Sequence, residues 1–201
     1  MEGRIQKGCV PLLALLLFFT TAHSAFAQTF GFKFGYPTQQ ALQVNNSNAL
    51  IPYSEHSQAP KFGLTGELGM PFGTTIEIDA LYSRWSYSSS FAGSTNINAW
   101  EFPVLLKKTL FKGPVRPFVN GGGAFRAINA GIAGKRPIEF IHAASAGYAF
   151  GGGLDFKFGR IHLMPEFRYS KFITENFRSP AGTLQTNLHE PMFLLGIERG
   201  R

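Results

Sequence analysis

Cysteine is missing from nearly the whole chain: the single Cys9 falls in the segment 1–27, and nothing after it carries a thiol. If that segment is removed on export, disulfides and thiol chemistry are excluded from the product. Long hydrophobic runs are missing too. Beyond residue 27 no stretch reaches the roughly 18 consecutive apolar residues that a membrane-spanning helix needs. Charge is sparse, at 15 % of residues, and the basic groups form no stripe of the kind that tracks a nucleic-acid backbone. Helical spacing of apolar residues is weak everywhere after the first segment.

The segment 1–27 itself has the form of an export signal. Arg4 and Lys7 make a positive start, CVPLLALLLFF is an apolar run too short for a comfortable span, and Ala25-Phe26-Ala27 supplies the small-x-small pattern that signal peptidase reads. Cleavage is expected between Ala27 and Gln28, and no lipoprotein signal precedes Cys9. Removal takes Glu2, Arg4 and Lys7 with it, so the formal charge falls from +7 to +6. The remaining stretch 28–201, about 174 residues, suits one domain with a real core.

What is abundant is glycine (23) and phenylalanine (21), arranged with a period of two. Phe30, Phe32, Phe34 and Tyr36 alternate with Gly31, Lys33 and Gly35. The same pattern recurs over 61–68, 76–83, 100–107, 115–126, 150–158, 161–169 and 190–198, which predicts eight strands. Within each strand the charges share one parity: Lys61 with Glu67, Glu77 with Asp79, Glu101 with Lys107, Arg116 with Arg126, Asp155 with Lys157, Glu166 with Arg168, and Glu190 with Glu198. The opposite parity is almost wholly apolar or glycine, so one face excludes charge.

The links alternate in length. Those over 37–60, 84–99, 127–149 and 170–189 are long and those between them short, the shortest being Gly159-Arg160. A two-residue turn with glycine first suits type II′ and pairs Phe158 with Ile161. Pairing then continues as Phe156–Leu163, Leu154–Pro165, Gly152–Phe167 and Phe150–Tyr169 on the apolar face. On the charged face come Lys157–His162, Asp155–Met164, Gly153–Glu166 and Gly151–Arg168. Gly151 and Gly153 are expected to leave room for Arg168 and Glu166 across the pair.

Parity alone leaves open which face meets water. Three features favour the apolar face outward, as in a barrel set in lipid: its stripes are aromatic-rich, the charged face has few Ser, Asn or Gln residues, and its charges nearly balance. Lys33, Lys61, Lys107, Arg116, Arg126, Lys157 and Arg168 stand against Glu67, Glu77, Asp79, Glu101, Asp155, Glu166, Glu190 and Glu198, a sum of −1. Such a set suits a narrow lumen in which ions neutralise one another. The expected fold is therefore all-β, an eight-stranded antiparallel up-and-down transmembrane barrel.

In FGFKFGYP, RPFVNGGGAFR, the GGGLDF…PEFRYSKF hairpin and the closing FLLGIE, the chain resembles the small outer-membrane β-barrel family of the OmpA/OmpX type. The resemblance implies a bacterial outer-membrane protein, reached by export through the inner membrane and inserted by the barrel-assembly machinery. Outer-membrane lipids would surround it, and it would act as a monomer.

Chemistry is thinly signalled. Neither glycine triplet precedes a helical pattern or a Lys-Ser/Thr pair, which argues against phosphate loops. His56, His142, His162 and His189 lack metal-ligand spacing, and no metal or cofactor is expected. His142 with Ser145, near Glu139, is the one hint of a nucleophile and base. The expected role is non-enzymatic, in envelope structure or surface interaction through four loops. A small porin, a lipid A-modifying hydrolase and a soluble lipocalin-like carrier are the alternatives. In the loops Arg84, Lys135, Arg136, Lys171 and Arg178 outnumber Glu55, Glu139 and Glu175, which leaves two readings open: contact with lipopolysaccharide phosphates, or ordinary solvated charge.

N-terminal sequencing of the protein recovered from bacterial envelopes is expected to begin at Gln28. A product beginning at Met1 would mean that the leader is kept as an anchor.

Overall fold

The structure, a computed structural model, describes residues 28–45, 52–89, 93–131, 140–179 and 183–200. The proposed leader, with Ala27, lies outside the described residues; Gln28 opens the first strand. Among the described residues there are eleven strands: β1 (Gln28–Pro37), β2 (Leu42–Val44), β3 (Tyr53–His56), β4 (Lys61–Met70), β5 (Thr74–Ser89), β6 (Gly93–Thr109), β7 (Val115–Gly131), β8 (Ala144–Phe158), β9 (Ile161–Phe172), β10 (Leu184–Thr186) and β11 (His189–Arg199).

Eight of these close a barrel. Antiparallel neighbours run β1, β4, β5, β6, β7, β8, β9 and β11, and β11 returns to β1. Closure leaves no edge in the ring, so every barrel strand has a partner on both sides. Each predicted strand lies within one of these eight. The parity is also as read: Phe30, Phe32, Phe34 and Tyr36 are 58, 55, 54 and 53 % exposed, while Lys33 between them is 1 % exposed. A water-soluble barrel would show the reverse order.

The β8–β9 hairpin has the predicted register, from Phe158 opposite Ile161 to Phe150 opposite Tyr169. Gly159 has φ +64° and Arg160 has no positive φ, the combination of a type II′ turn. A Cβ on Gly153 would stand 2.2 Å from the Pro165 carbonyl oxygen and 2.8 Å from the Phe118 ring, so the strands approach too closely there for any side chain.

Prolines within strands are accommodated without bulges. Around Pro103 the β5–β6 ladder skips the rungs between Ile78–Val104 and Leu81–Glu101, and around Pro165 the β8–β9 ladder skips those between Gly153–Glu166 and Phe156–Leu163. The register is the same on both sides of each gap. A missing N–H removes ladder bonds locally but inserts no residue, so neither a bulge nor a misplaced strand limit is needed.

The interval 84–99, expected as a long loop, is instead mostly strand: β5 continues to Ser89 and β6 begins at Gly93. Period two persists there, but its polarity reverses. Trp85, Tyr87, Ile97 and Ala99 are buried inside, while Arg84, Asn96 and Asn98 are exposed outside. Below this level the inside is ionic and the outside apolar. The hairpin therefore leaves one solvent and enters another, and its alternation changes sign where it does.

The two longest links fold over this end. β2 pairs with β10, and β3 pairs with the upper part of β5. Leu42, Phe177 and Leu184 from these links join Trp85, Tyr87, Ile97 and Ile128 in one apolar cluster across the barrel mouth. At the other end the links are tight: a turn at Pro71–Gly73, the stretch 110–114, and Gly159-Arg160.

Gly153→Ala is expected to destabilise the barrel by about 1–3 kcal/mol, because backbone must move to admit the methyl group. Gly123→Ala, where an added Cβ meets nothing within 4 Å, should leave stability unchanged or slightly raised. Urea unfolding of the two variants side by side, followed by tryptophan fluorescence, distinguishes them.

Candidate functional site

The alternation of β1, β5 and β9 points Lys33, Glu77, Asp79, Glu166 and Arg168 at one level of the lumen, and all five are buried. Lys33 Nζ donates to Glu77 Oε1 at 2.5 Å, Asp79 Oδ2 at 3.2 Å and Glu166 Oε2 at 3.3 Å. Arg168 holds the same three carboxylates: its Nε and Nη2 grip Glu166 at 2.7 and 3.0 Å, Nη1 donates to Asp79 at 2.6 Å and Nη2 to Glu77 at 2.7 Å. Asn120 Nδ2 adds a bond to Glu166 at 2.9 Å. The forked guanidinium suits this position because one planar group satisfies three acceptors from two strands.

A second tier lies toward the loop end. Lys61 Nζ bridges Glu101 and Glu190, the latter at 2.5 Å, and Arg126 also pairs with Glu190. The Arg126 guanidinium stacks 3.6 Å from the centre of the Phe172 ring and 5.4 Å from that of Trp85, which joins the ionic tier to the apolar cap above it.

The third tier faces the tight turns. Lys107 Nζ pairs with Glu67 at 2.5 Å and lies 4.2 Å from the centre of the Phe118 ring. Arg116 pairs with Asp155, whose carboxylate also meets His162 Nδ1 at 3.0 Å. Glu198 accepts from Thr29 Oγ1 at 2.7 Å and Thr65 Oγ1 at 3.4 Å. This end opens as a cavity of about 1030 Å³, lined among others by Glu67, Lys107, Arg116, Asp155, His162 and Glu198.

The structure thus brings the expected inward-facing charges together, with one correction. Lys157 keeps the inward parity but is exposed at the open mouth, and no described carboxylate lies within ion-pair distance of it. It stands next to the turn, where the wall ends and water replaces the ionic partners. Thr65, Phe118, Asn120 and Met164 share the charged parity of their strands and line the interior beside the ions. Thr29, at the start of β1, joins them by its bond to Glu198, a partner that no strand pattern announces.

His142 and Ser145 do not form a dyad. Ser145 is buried, donates to the Thr174 carbonyl at 2.8 Å and accepts from the Thr174 hydroxyl at 3.0 Å, while His142 Nδ1 meets the Glu175 carbonyl at 3.1 Å. Both side chains tie the start of β8 to the segment after β9, and Glu139 falls outside the described residues. Among the loop charges, Arg178 pairs with Glu175 at 2.7 Å and Arg84 is exposed; Lys135 and Arg136 also fall outside the described residues. The Glu55 carboxyl, partly buried beneath the cap, is held above its usual range by desolvation, opposed by a hydrogen bond from Ser57.

Arg168→Ala is expected to destabilise the folded barrel by about 3–5 kcal/mol, since it leaves Glu77, Asp79 and Glu166 short of a buried counter-ion. The midpoint of urea unfolding in detergent reads this directly. Arg178→Ala, which breaks an exposed pair, should shift the midpoint negligibly.

No family model and no curated protein sequence matches the chain. Among solved structures it is similar to the outer membrane protein OprG of Pseudomonas aeruginosa, with TM-score 0.59 and 11 % identity over 89 % of this chain and 97 % of that one. Neisserial surface protein A gives TM-score 0.56 and 12 % identity over 88 % and 97 %. The Escherichia coli outer membrane protein W gives 0.56 and 16 % over 89 % and 100 %. At these identities the likeness is one of fold, and it establishes that the chain has the fold of the small outer-membrane barrels.

Proposed function

We propose that this chain is an integral outer-membrane protein whose barrel is closed to solutes and whose loop end serves envelope structure or surface interaction, without enzymatic activity. The observation that carries the membrane placement is the inversion of polarity: exposed phenylalanine and leucine all round the outer wall, and buried ion pairs within. Soluble monomers rarely expose a contiguous apolar patch larger than a few hundred Å². Tyr36, Tyr82, Trp100, Tyr148 and Tyr169 follow one another around the wall toward the loop end, as an aromatic girdle at a lipid–water boundary does. The resemblance to OmpA/OmpX-type barrels and the outer-membrane origin of the similar structures support the same placement.

Closure to solutes rests on two obstructions in series. The Lys33–Arg168 tier fills the middle of the lumen with fully buried groups, and the apolar cap lies across the loop end. The cavity of about 1030 Å³ therefore enters from the tight-turn end and meets a wall of ion pairs. A small porin is the second reading, favoured by that cavity alone. The loop end, with its exposed Arg84, is the surface we assign to lipopolysaccharide or to a partner outside the cell.

The folded protein is expected to migrate faster on unheated than on heated SDS gels and to give negligible single-channel conductance in planar bilayers. Steady conductance would favour the porin, and a chain that stays in solution without detergent would overturn the membrane placement.

A further inference from the structure

Every carboxylate among the described residues is buried or half-buried, so the strongly exposed charges are all cations: Arg84, Lys108, Lys112, Lys157, Arg160, Arg178 and Arg199. Five of the seven, Lys108, Lys112, Lys157, Arg160 and Arg199, lie at the tight-turn end. Among the described residues no carboxylate is within ion-pair distance of any of these five. With Lys157 at the mouth, the interior holds six cations against eight of the protein's 12 acidic groups, a sum of −2, and the basic excess is left on the outside, mostly at the tight-turn end.

Where these cations point matters more than their number. Arg199 follows Phe193, Leu195 and Ile197 on the outward parity of β11, and sits in register between Phe30 of β1 and Ile161 of β9. Lys108 follows Val104 and Leu106 on the outward parity of β6, opposite Val119, and its ammonium donates to the Phe72 carbonyl at the rim. Arg160 is in the β8–β9 turn, beside the exposed Phe158. Arg160 and Arg199 lie clear of the mouth of the lumen, while Lys108, on the outward parity, stands at its edge. Phe72, Phe111 and Phe158, 91, 66 and 64 % exposed, stand at the same end. Apolar rings at the border of an apolar wall, with unpaired cations on long flexible stems beside them, are the composition of a headgroup-level anchor.

We infer that Lys108, Arg160 and Arg199 form a basic girdle that binds the anionic headgroups of phospholipids in the leaflet meeting the tight-turn end. Outward direction at the edge of the apolar band selects headgroup phosphates over a soluble anion, which would instead collect at the mouth around Lys112 and Lys157. The inference rests on the membrane placement proposed above, and it assigns the two ends different lipid contacts: an aromatic girdle toward the loops and a cationic one toward the turns.

The test uses the full-length processed protein reconstituted in nanodiscs of mixed phosphatidylglycerol and phosphatidylcholine, with the lipids that co-purify after detergent extraction counted by native mass spectrometry. Phosphatidylglycerol is expected to be enriched over its bulk fraction, by about fivefold per engaged cation before salt screening. K108Q/R160Q/R199Q is expected to lose that enrichment while keeping heat-modifiable migration, and K112Q/K157Q to keep it. Equal enrichment in the triple variant, loss in the K112Q/K157Q pair instead, or displacement of the lipid by millimolar inorganic phosphate would each overturn the girdle. Failure of the unmodified chain to enter bilayers at all would overturn the membrane placement, and is distinct from an inserted barrel that shows no lipid preference.

Discussion

The neutralisation of Glu77, Asp79 and Glu166 by Lys33 and Arg168 is the interaction on which the rest of the barrel depends. An eight-stranded barrel has room inside for side chains and little else, so charges that point inward must meet each other rather than water. Two cations shared among three carboxylates achieve this only if β1, β5 and β9 are held at one stagger. The ionic tier and the strand register therefore specify each other. Glycine at 153 belongs to the same constraint, since it lets β8 approach β9 closely where Glu166 turns inward.

That interior has a consequence for the exterior. Carboxylates are drawn into the lumen and its margins, and the basic surplus remains at the surface, concentrated where the turns are tight. Toward the loops the same strands carry Trp85, Tyr87 and Ile97 inward and polar groups outward. The molecule is thus a lipid-facing wall with an ionic interior, continued by a water-facing wall with an apolar interior. Arg126, stacked on Phe172 and Trp85, is the joint between the two.

Much of the wall was readable from the residues because each strand obeys one rule over its lipid-facing length. Phe30 to Tyr36 needed only a period of two, and the β8–β9 register followed from a two-residue turn. The upper part of β5 and β6 escaped the same reading because the alternation changes sign at Arg84, and a strand whose polarity reverses looks like a loop when apolar is assumed to mean outward. β2, β3 and β10 are three or four residues long; β3 finds its partner in β5 of the barrel, and β2 and β10 find each other only once the closed barrel brings the two long links together. No local pattern announces such segments.

By itself the sequence determined the strand faces and the charges that point inward, because side-chain alternation is a property of the extended backbone. It also determined that these charges nearly cancel. Only the tertiary structure decided which carboxylate meets which cation, that Lys157 escapes to the mouth while Arg168 is sealed, and that the long links pair with one another to cap the barrel. Those outcomes depend on the stagger of eight strands around a closed ring, which brings residues far apart in the chain to one level, and stagger is not written in any single strand.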